Sequence, residues 1–389
     1  MLSIRHKLDD LPLPDTEALA HSRRVMEHIH AAIQSHNGRL TFAEYMRLAL
    51  YAPGLGYYSA GARKFGAAGD FVTAPELSPW FGRCLARQCA EVLAKLDGGS
   101  VLELGAGSGV MAADLLTELQ RLDCLPREYL ILEVSADLRQ RQRELLQARV
   151  PELLPKLRWL DALPERLQGV ILGNEVLDAL PVRRFRVEGG EYQEFCVTDD
   201  GEGLRWELVQ APRSLHWAVS QLETTSPLPL AEGYTSELCE ALAPLFGSLG
   251  AMLEKGAALF IDYGHTRAAY YHPQRSMGSL MCHYRQRAHE DPFLYPGLQD
   301  ITAHVDFTSV AEAATDAGFH LAGYTTQAHF LMALGIAEAA QGGDSKAARE
   351  VKLLTLPEEM GERFKAIGFT KDMDIALTGF GLRDLSHTL

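Results

Sequence analysis

Apolar positions along the chain switch repeatedly between two periods. Residues 16–36 carry helical spacing, Asn37-Gly38 marks a turn, and a second helical stretch runs from Thr41 to Tyr51. Tyr51 to Asp70 holds Pro53, Gly54, Gly56, Gly61, Gly66 and Gly69, too many turn formers for an element interior, so a long surface loop is predicted. Ser78-Pro79 suits a helix start, because serine can cap free backbone N–H groups and proline at the first position gives up a donor that has no partner anyway. Phe81, Leu85, Val92 and Leu96 follow at helical spacing, with Gly98 as the stop.

From Ser100 short apolar runs alternate with longer helical ones. Strands are predicted at Val101–Leu104, Tyr129–Val134, Leu157–Leu160, Gly169–Gly173 and Ala257–Ile261, with helices over 110–122 and 136–148. Such alternation implies a parallel, doubly wound sheet. The fourth and fifth strands are separated by an insertion whose runs Val182–Val187, Tyr192–Val197 and Leu204–Val209 read as an antiparallel meander folded over one edge of the sheet. Asp306 is placed to cap a helix ending near Gly318, followed by a strand over Phe319–Thr325. The polar, alanine-rich run 338–350 reads as a connection to a last helix and strand. The resulting division is 1–78, N-terminal helices and a covering loop; 79–181, first part of an α/β core; 182–255, insertion; 256–335, second part of the core with a loop insertion; and 336–389, a C-terminal segment.

A content of 47% hydrophobic and 23% charged residues is that of a chain able to bury a sizeable core. The formal charge of −14 argues against a duplex nucleic-acid binder, which needs a basic face. Six cysteines without a C-x-x-C pair read as reduced thiols, and the acidic first 20 residues resemble neither a secretory signal nor a transit peptide, so a cytoplasmic protein without a membrane span is expected. Cys282, His283, His289 and His304 match no common zinc spacing, and no metal is expected.

The chemistry concentrates in Val101-Leu102-Glu103-Leu104-Gly105-Ala106-Gly107-Ser108-Gly109: a buried strand, a glycine turn and a helix start. Gly105, Gly107 and Gly109 let the backbone turn sharply and approach a ligand at the carboxyl ends of the strands. A dinucleotide fingerprint wants glycine or alanine where Val110 stands. An acidic residue before G-x-G-x-G instead suits a ligand with an ammonium group and a sulfonium, that is S-adenosyl-L-methionine, with Glu103 supplying the charge. Both cofactors remain open on the turn alone. Glu133, at the end of the next strand, can accept both hydrogen bonds of a ribose diol, and Asp161 could accept the adenine amino group. Asn174 and Glu175 end the fourth strand, where such a sheet presents groups to its ligands; Asn174 is grouped with the donor contacts. Nucleic-acid amino-methyltransferases carry an Asn/Asp-Pro-Pro-aromatic tetrad there, and this chain reads Asn174-Glu175-Val176-Leu177. Glu175 and Asp178, three apart, would share one side of a helix and suit a guanidinium.

Taken together, these residues resemble the MidA-like methyltransferases, the family that includes the mitochondrial assembly factor for respiratory complex I. The resemblance rests on 41–46 through Gly56-Tyr57-Tyr58, Gly69–Glu76, the Glu103–Gly109 turn, Asn174–Pro181, Ile261–His265 and Gln299–Phe307. It implies a Rossmann-like class I methyltransferase sheet with an N-terminal helical extension and an inserted β-rich region, and a protein acceptor, with arginine favoured and a respiratory-complex subunit as a candidate. It further implies that the Gly69–Glu76 loop closes over the donor, with Asp70 and Thr73 near it and Glu76 nearer the acceptor. A donor-binding assembly chaperone and an NAD-dependent dehydrogenase are the rival readings.

Overall fold

The computed structural model describes residues 11–60, 73–225, 229–341 and 345–389. Asp70 and half of the predicted covering loop, residues 69–72, fall outside them.

The chain begins with α1 (Thr16–Ser35), β1 (Arg39–Thr41) and α2 (Phe42–Tyr51). The Asp15 side chain caps α1 by accepting from the Ala18 N–H. Thr41 and Glu44 form a reciprocal capping box at α2. Beyond α2 the predicted surface loop exposes Pro53 and Gly54 and then turns inward: Tyr57 is buried with Val25, Ile29 and Tyr45, so the turns also bring an aromatic ring into a core. Then α3 (Ala74–Leu77) leads to α4 (Pro79–Lys95), whose cap Ser78 accepts from the Trp80 N–H.

The alternating part follows as β2 (Ser100–Leu104), α5 (Val110–Arg121), β3 (Tyr129–Leu132), α6 (Ala136–Arg149), β4 (Leu157–Leu160) and β5 (Leu167–Asn174). After it come β6 (Arg183–Glu188), β7 (Glu191–Asp199), β8 (Leu204–Gln210), α7 (Arg213–Thr225), β9 (Thr235–Leu238), α8 (Leu242–Met252) and the long β10 (Leu253–His265). The remainder comprises α9 (Arg267–Tyr270), β11 (Met281–Tyr284), β12 (Arg287–His289), β13 (Asp300–Thr302), β14 (Val305–Asp306), α10 (Phe307–Asp316), β15 (His320–Thr326) and α11 (Gln327–Ala333). Next are α12 (Glu338–Gln341), α13 (Ser345–Thr355) and β16 (Phe364–Lys371). The run predicted as a polar connection thus contains two helices.

The central sheet has the order β15-β16-β10-β5-β2-β3-β4, with β14 beside the end of β10. β4, β3, β2, β5 and β10 are parallel neighbours, whereas β16 is antiparallel to both β10 and β15. From β2 the chain winds outward through β3 and β4, then returns to the other side with β5 and β10. That reversal opens a crevice at the carboxyl ends of β2 and β5, at Leu104 and Asn174. Side chains alternate across the sheet: Val101 and Val170 meet Phe81, Leu85 and Leu115 on one face, and Leu102 and Ile171 meet Phe246, Leu249 and Val310 on the other.

The predicted meander is present, in a sheet of its own. β7 pairs with β6 and β8, and also with β1 of the N-terminal extension, through Arg39↔Thr198 to Thr41↔Cys196; β9 completes the five-stranded sheet. A third small sheet, β12-β11-β13, packs with these elements, since Leu280, Cys282 and Ile301 share a core with α1, α2 and Val197. Among the described residues no helix is long and apolar enough to cross a membrane.

Candidate active site

The glycine turn is built where β2 ends. Gly105 donates its N–H to the Leu132 carbonyl at 3.1 Å, tying the turn to β3. Gly105, Gly107 and Gly109 have φ of 63°, 53° and 86°, a left-handed region that costs a residue with a side chain about 1–2 kcal/mol. A Cβ at Gly105 would also press on Val176 at 3.1 Å. The Ser108 hydroxyl donates to the Glu76 carboxylate, so α3 is fastened across the turn.

Two buried carboxylates flank the turn. Glu103, on β2, accepts from the Tyr129 hydroxyl at 2.7 Å. Burial pushes its carboxyl up to about 7, with the Tyr129 bond opposing and the Glu133 charge adding to the shift. Glu133 follows β3 and accepts from the Ser135 N–H at 2.9 Å, at the start of α6. Asp161 is 92% exposed, lies outside the cavity lining, and pairs at 2.7 Å with Arg139, which also donates to the carbonyls of Glu133 and Leu160.

At the end of β5 the backbone is strained. Glu175 has φ of 51°, rare for a residue with a side chain, and its N–H donates to the Ile261 carbonyl at 2.9 Å. Residues 175–178 therefore form a bend and a turn, not the helix that would have put Glu175 and Asp178 side by side. Glu175 lines the cavity, whereas Asp178 is buried behind it with its Oδ1 lacking a hydrogen-bond partner. Asn174 donates from Nδ2 to Glu175 at 3.1 Å, and its own Oδ1 is buried without a partner. Burial pushes the Glu175 carboxyl up to about 8; the Asp178 charge adds to this, and the Asn174 amide and the Ala74 backbone oppose it. Burial likewise raises Asp178 and, further, Asp262. Asp262 holds the turn by accepting from the N–H groups of Leu177 and Asp178 at 2.8 and 3.3 Å.

These parts border one cavity of about 320 Å³. Of the residues selected from sequence, Thr73, Glu76, Glu103, Gly105 and Gly107 line it, as do Glu133, Asn174 and Glu175. Gly109, Asp161 and Asp178 do not, and Asp70 lies outside the described residues.

Sequence reasoning left five contributors unassigned. Tyr51 and Tyr58 form a wall of the cavity, with ring centroids 5.5 Å apart and planes 25° from parallel. The Tyr51 hydroxyl donates to the Ala179 carbonyl at 2.9 Å, and that of Tyr58 to Asp300 at 2.8 Å. Ser108 and Asp262 complete the set with Asp300. The runs containing Tyr58, Asp262 and Asp300 are among those that carry the family resemblance, but nothing local in the sequence gives these residues a role. Among the described residues no group of three or more His, Cys, Asp or Glu side chains is arranged to hold a metal ion.

Residues 84–325 match the profile of a family of S-adenosyl-L-methionine-dependent methyltransferases. The chain belongs to this family. The methyltransferase is 30% identical over 385 residues to the mitochondrial protein arginine methyltransferase NDUFAF7 of Danio rerio, covering 88% of this chain and 86% of that one. Its likeness to the Caenorhabditis elegans homologue is 27% over 330 residues, 77% and 74% of the two chains. A Burkholderia thailandensis crystal structure bound to S-adenosyl-homocysteine superposes with a TM-score of 0.92 at 46% identity, over 98% of this chain and all (100%) of the other. The methyltransferase thus uses S-adenosyl-L-methionine, and the dinucleotide reading of the glycine turn falls. The site fits that donor: left-handed glycines open the turn, and Asn174, which borders the cavity, has its Oδ1 buried without a hydrogen-bond partner.

Proposed function

We propose that this methyltransferase methylates a nitrogen of an arginine side chain in another protein. The observation that carries the reading is Glu175: a buried carboxylate facing the cavity on a strained backbone, with Asp178 behind it and, among the described residues, no cation paired with either. A guanidinium would supply the missing charge and planar donors. The acceptor named for the Danio rerio relative is also arginine.

When bound, the donor supplies a methyl group on a sulfonium, open to in-line attack. In the proposed arrangement Glu103 faces the ammonium group, Glu133 holds the ribose hydroxyls, and Gly105, Gly107, Thr73 and Asn174 shape the space between. Gly109 starts α5 and contributes through the backbone. Glu175 accepts N–H bonds from the guanidinium and aligns the attacking nitrogen; as the N–C bond forms and the C–S bond breaks, it takes the proton the nitrogen loses. Asp178 keeps that carboxyl basic through its charge, and Glu76, bound to Ser108, borders the path between the two ends. Asp161 is not part of this set.

A respiratory-complex subunit is proposed as the acceptor protein from the family resemblance. A cytoplasmic location is proposed with it, supported by six free cysteines, which fit a reducing compartment; the word mitochondrial belongs to the names of the animal relatives. The test is incubation with methyl-labelled donor and cell lysate, followed by mass spectrometry of labelled peptides. Label on arginine is expected. Label on another side-chain type, or saturable donor binding with no label transferred, would overturn the reading, the latter in favour of a binding module.

A further inference from the structure

The exposed, polar helix α6 buries only Leu138, Gln142 and Leu146, a single stripe with an amide in its centre. Gln142 is wholly buried. An amide placed there without partners would be costly, and a leucine or methionine would fill the stripe without that cost. Every hydrogen-bonding group of Gln142 is instead engaged, each with a different element. Its Nε2 donates to the Gly107 carbonyl at 2.9 Å and to Glu133 Oε2 at 3.2 Å, and its Oε1 accepts from Trp159 Nε1 on β4 at 2.9 Å. The indole N–H can only donate and the carbonyl and carboxylate can only accept, which settles which way the amide points.

This arrangement joins two acceptors that would otherwise repel. The glycine-turn carbonyl and the Glu133 carboxylate both turn negative atoms toward the same amide, and only a group with two coplanar donors bridges them. Contact is close: a Cβ at Gly109 would lie 3.3 Å from Gln142 Cγ. With Oε1 of Glu133 held by the Ser135 N–H and Oε2 by Gln142, the carboxylate plane is fixed from behind. Gln142 itself does not line the cavity.

We propose that Gln142 is a positioning residue that locks Glu133 and the glycine turn into one unit, and so sets the enzyme's selectivity for the donor's ribose hydroxyls. The inference rests on the reading of Glu133 as the ribose-binding group.

The test measures the affinity of S-adenosylhomocysteine and of its 2′-deoxy and 3′-deoxy counterparts by calorimetry. The wild-type protein should bind the deoxy compounds roughly tenfold more weakly. In Gln142→Met the parent compound weakens and the ratio between parent and deoxy compounds falls toward one. A full wild-type ratio in this variant overturns the proposal and leaves the Glu133 reading standing, whereas a wild-type protein that ignores the deoxy change overturns both. Gln142→Glu preserves size and supplies a donor only when protonated. Its affinity relative to wild type should therefore recover as pH is lowered, and a pH-independent ratio between the two proteins would also overturn the proposal.

Discussion

At the glycine-turn end of the cavity, where the donor is proposed to bind, each carboxylate already has a protein donor: Tyr129 for Glu103, and Ser135 with Gln142 for Glu133. These partners come from strands and helices of the central sheet, so the groups are held in place before any ligand arrives. At the other end Glu175 has the Asn174 amide and the Ala74 backbone for partners, and its charged neighbours are acids. The wall there is made by Tyr51 and Tyr58 of the N-terminal extension, with Tyr58 bonded to Asp300 of the small third sheet. One end is complete in itself. The other lacks a paired cation among the described residues, which supports the proposal of a fixed cofactor at one end and a cationic acceptor at the other.

The strongest disruption is expected at the complete end. Gly107→Val forces a side chain into a position with φ of 53° at the cavity wall and should lower donor affinity by roughly two orders of magnitude or more, with a melting curve close to wild type. Calorimetry with S-adenosylhomocysteine checks it, and unchanged affinity would remove the turn from the site. Glu175→Gln should show the opposite division. Donor affinity stays within a few fold, while turnover on an arginine acceptor falls by about one to two orders of magnitude, the worth of a charge-assisted bond of roughly 1.5–3 kcal/mol. Collapse of donor affinity would place Glu175 with the cofactor instead.

The same residue makes a prediction about pH. Its carboxyl is raised from 4.5 to about 8, so between those values the folded chain holds a proton that the unfolded chain releases, and stability falls as pH rises through that window. Urea titrations at about pH 5 and about pH 9 should show a smaller loss in Glu175→Gln than in wild type. Acceptor kcat/KM should move the other way in the wild-type enzyme, increasing through about pH 8 as the carboxylate ionises. The smallest effect is expected for Tyr58→Phe, which keeps the ring and removes one hydrogen bond to Asp300. Loss of one hydrogen bond, about 1 kcal/mol, should raise the acceptor KM by roughly fivefold and leave the donor Kd unchanged. An equal change in both constants would show that the two ends are not separable.

The donor end could be read from the chain because its parts are local. The glycine turn is one contiguous run and Glu133 stands directly after β3, so strand-end logic pointed to residues that line the cavity. Asp161 met the same logic but lies outside the lining, since nothing in its neighbourhood announces that Arg139 on a preceding helix reaches it. The acceptor end was only half legible. Glu175 ends a strand, but Tyr58 and Asp300 are 242 positions apart, and no periodicity links an N-terminal turn to a strand of a late insertion. The bend at Glu175 hid as well, because a left-handed residue other than glycine, asparagine or aspartate leaves no compositional mark. In the fold, the alternating strands and helices of the core were plain. The pairing of β1 with β7 was not, because three residues are too few to show a period.

The placement of β16 also bears on how the chain is made. This strand lies between β10 and β15, yet β10 ends at His265 and β16 begins at Phe364. At roughly 5–20 residues per second a ribosome needs about 5–20 s to cover that interval. Throughout it, the nascent protein presents the flank of β10 that β16 will later cover as an open row of backbone donors and acceptors, a template for pairing with the wrong strand. Chains stalled or cut within the interval would already contain the whole glycine turn and Glu175 while lacking the strand that seals the sheet, and would be natural clients for a chaperone at the exit tunnel.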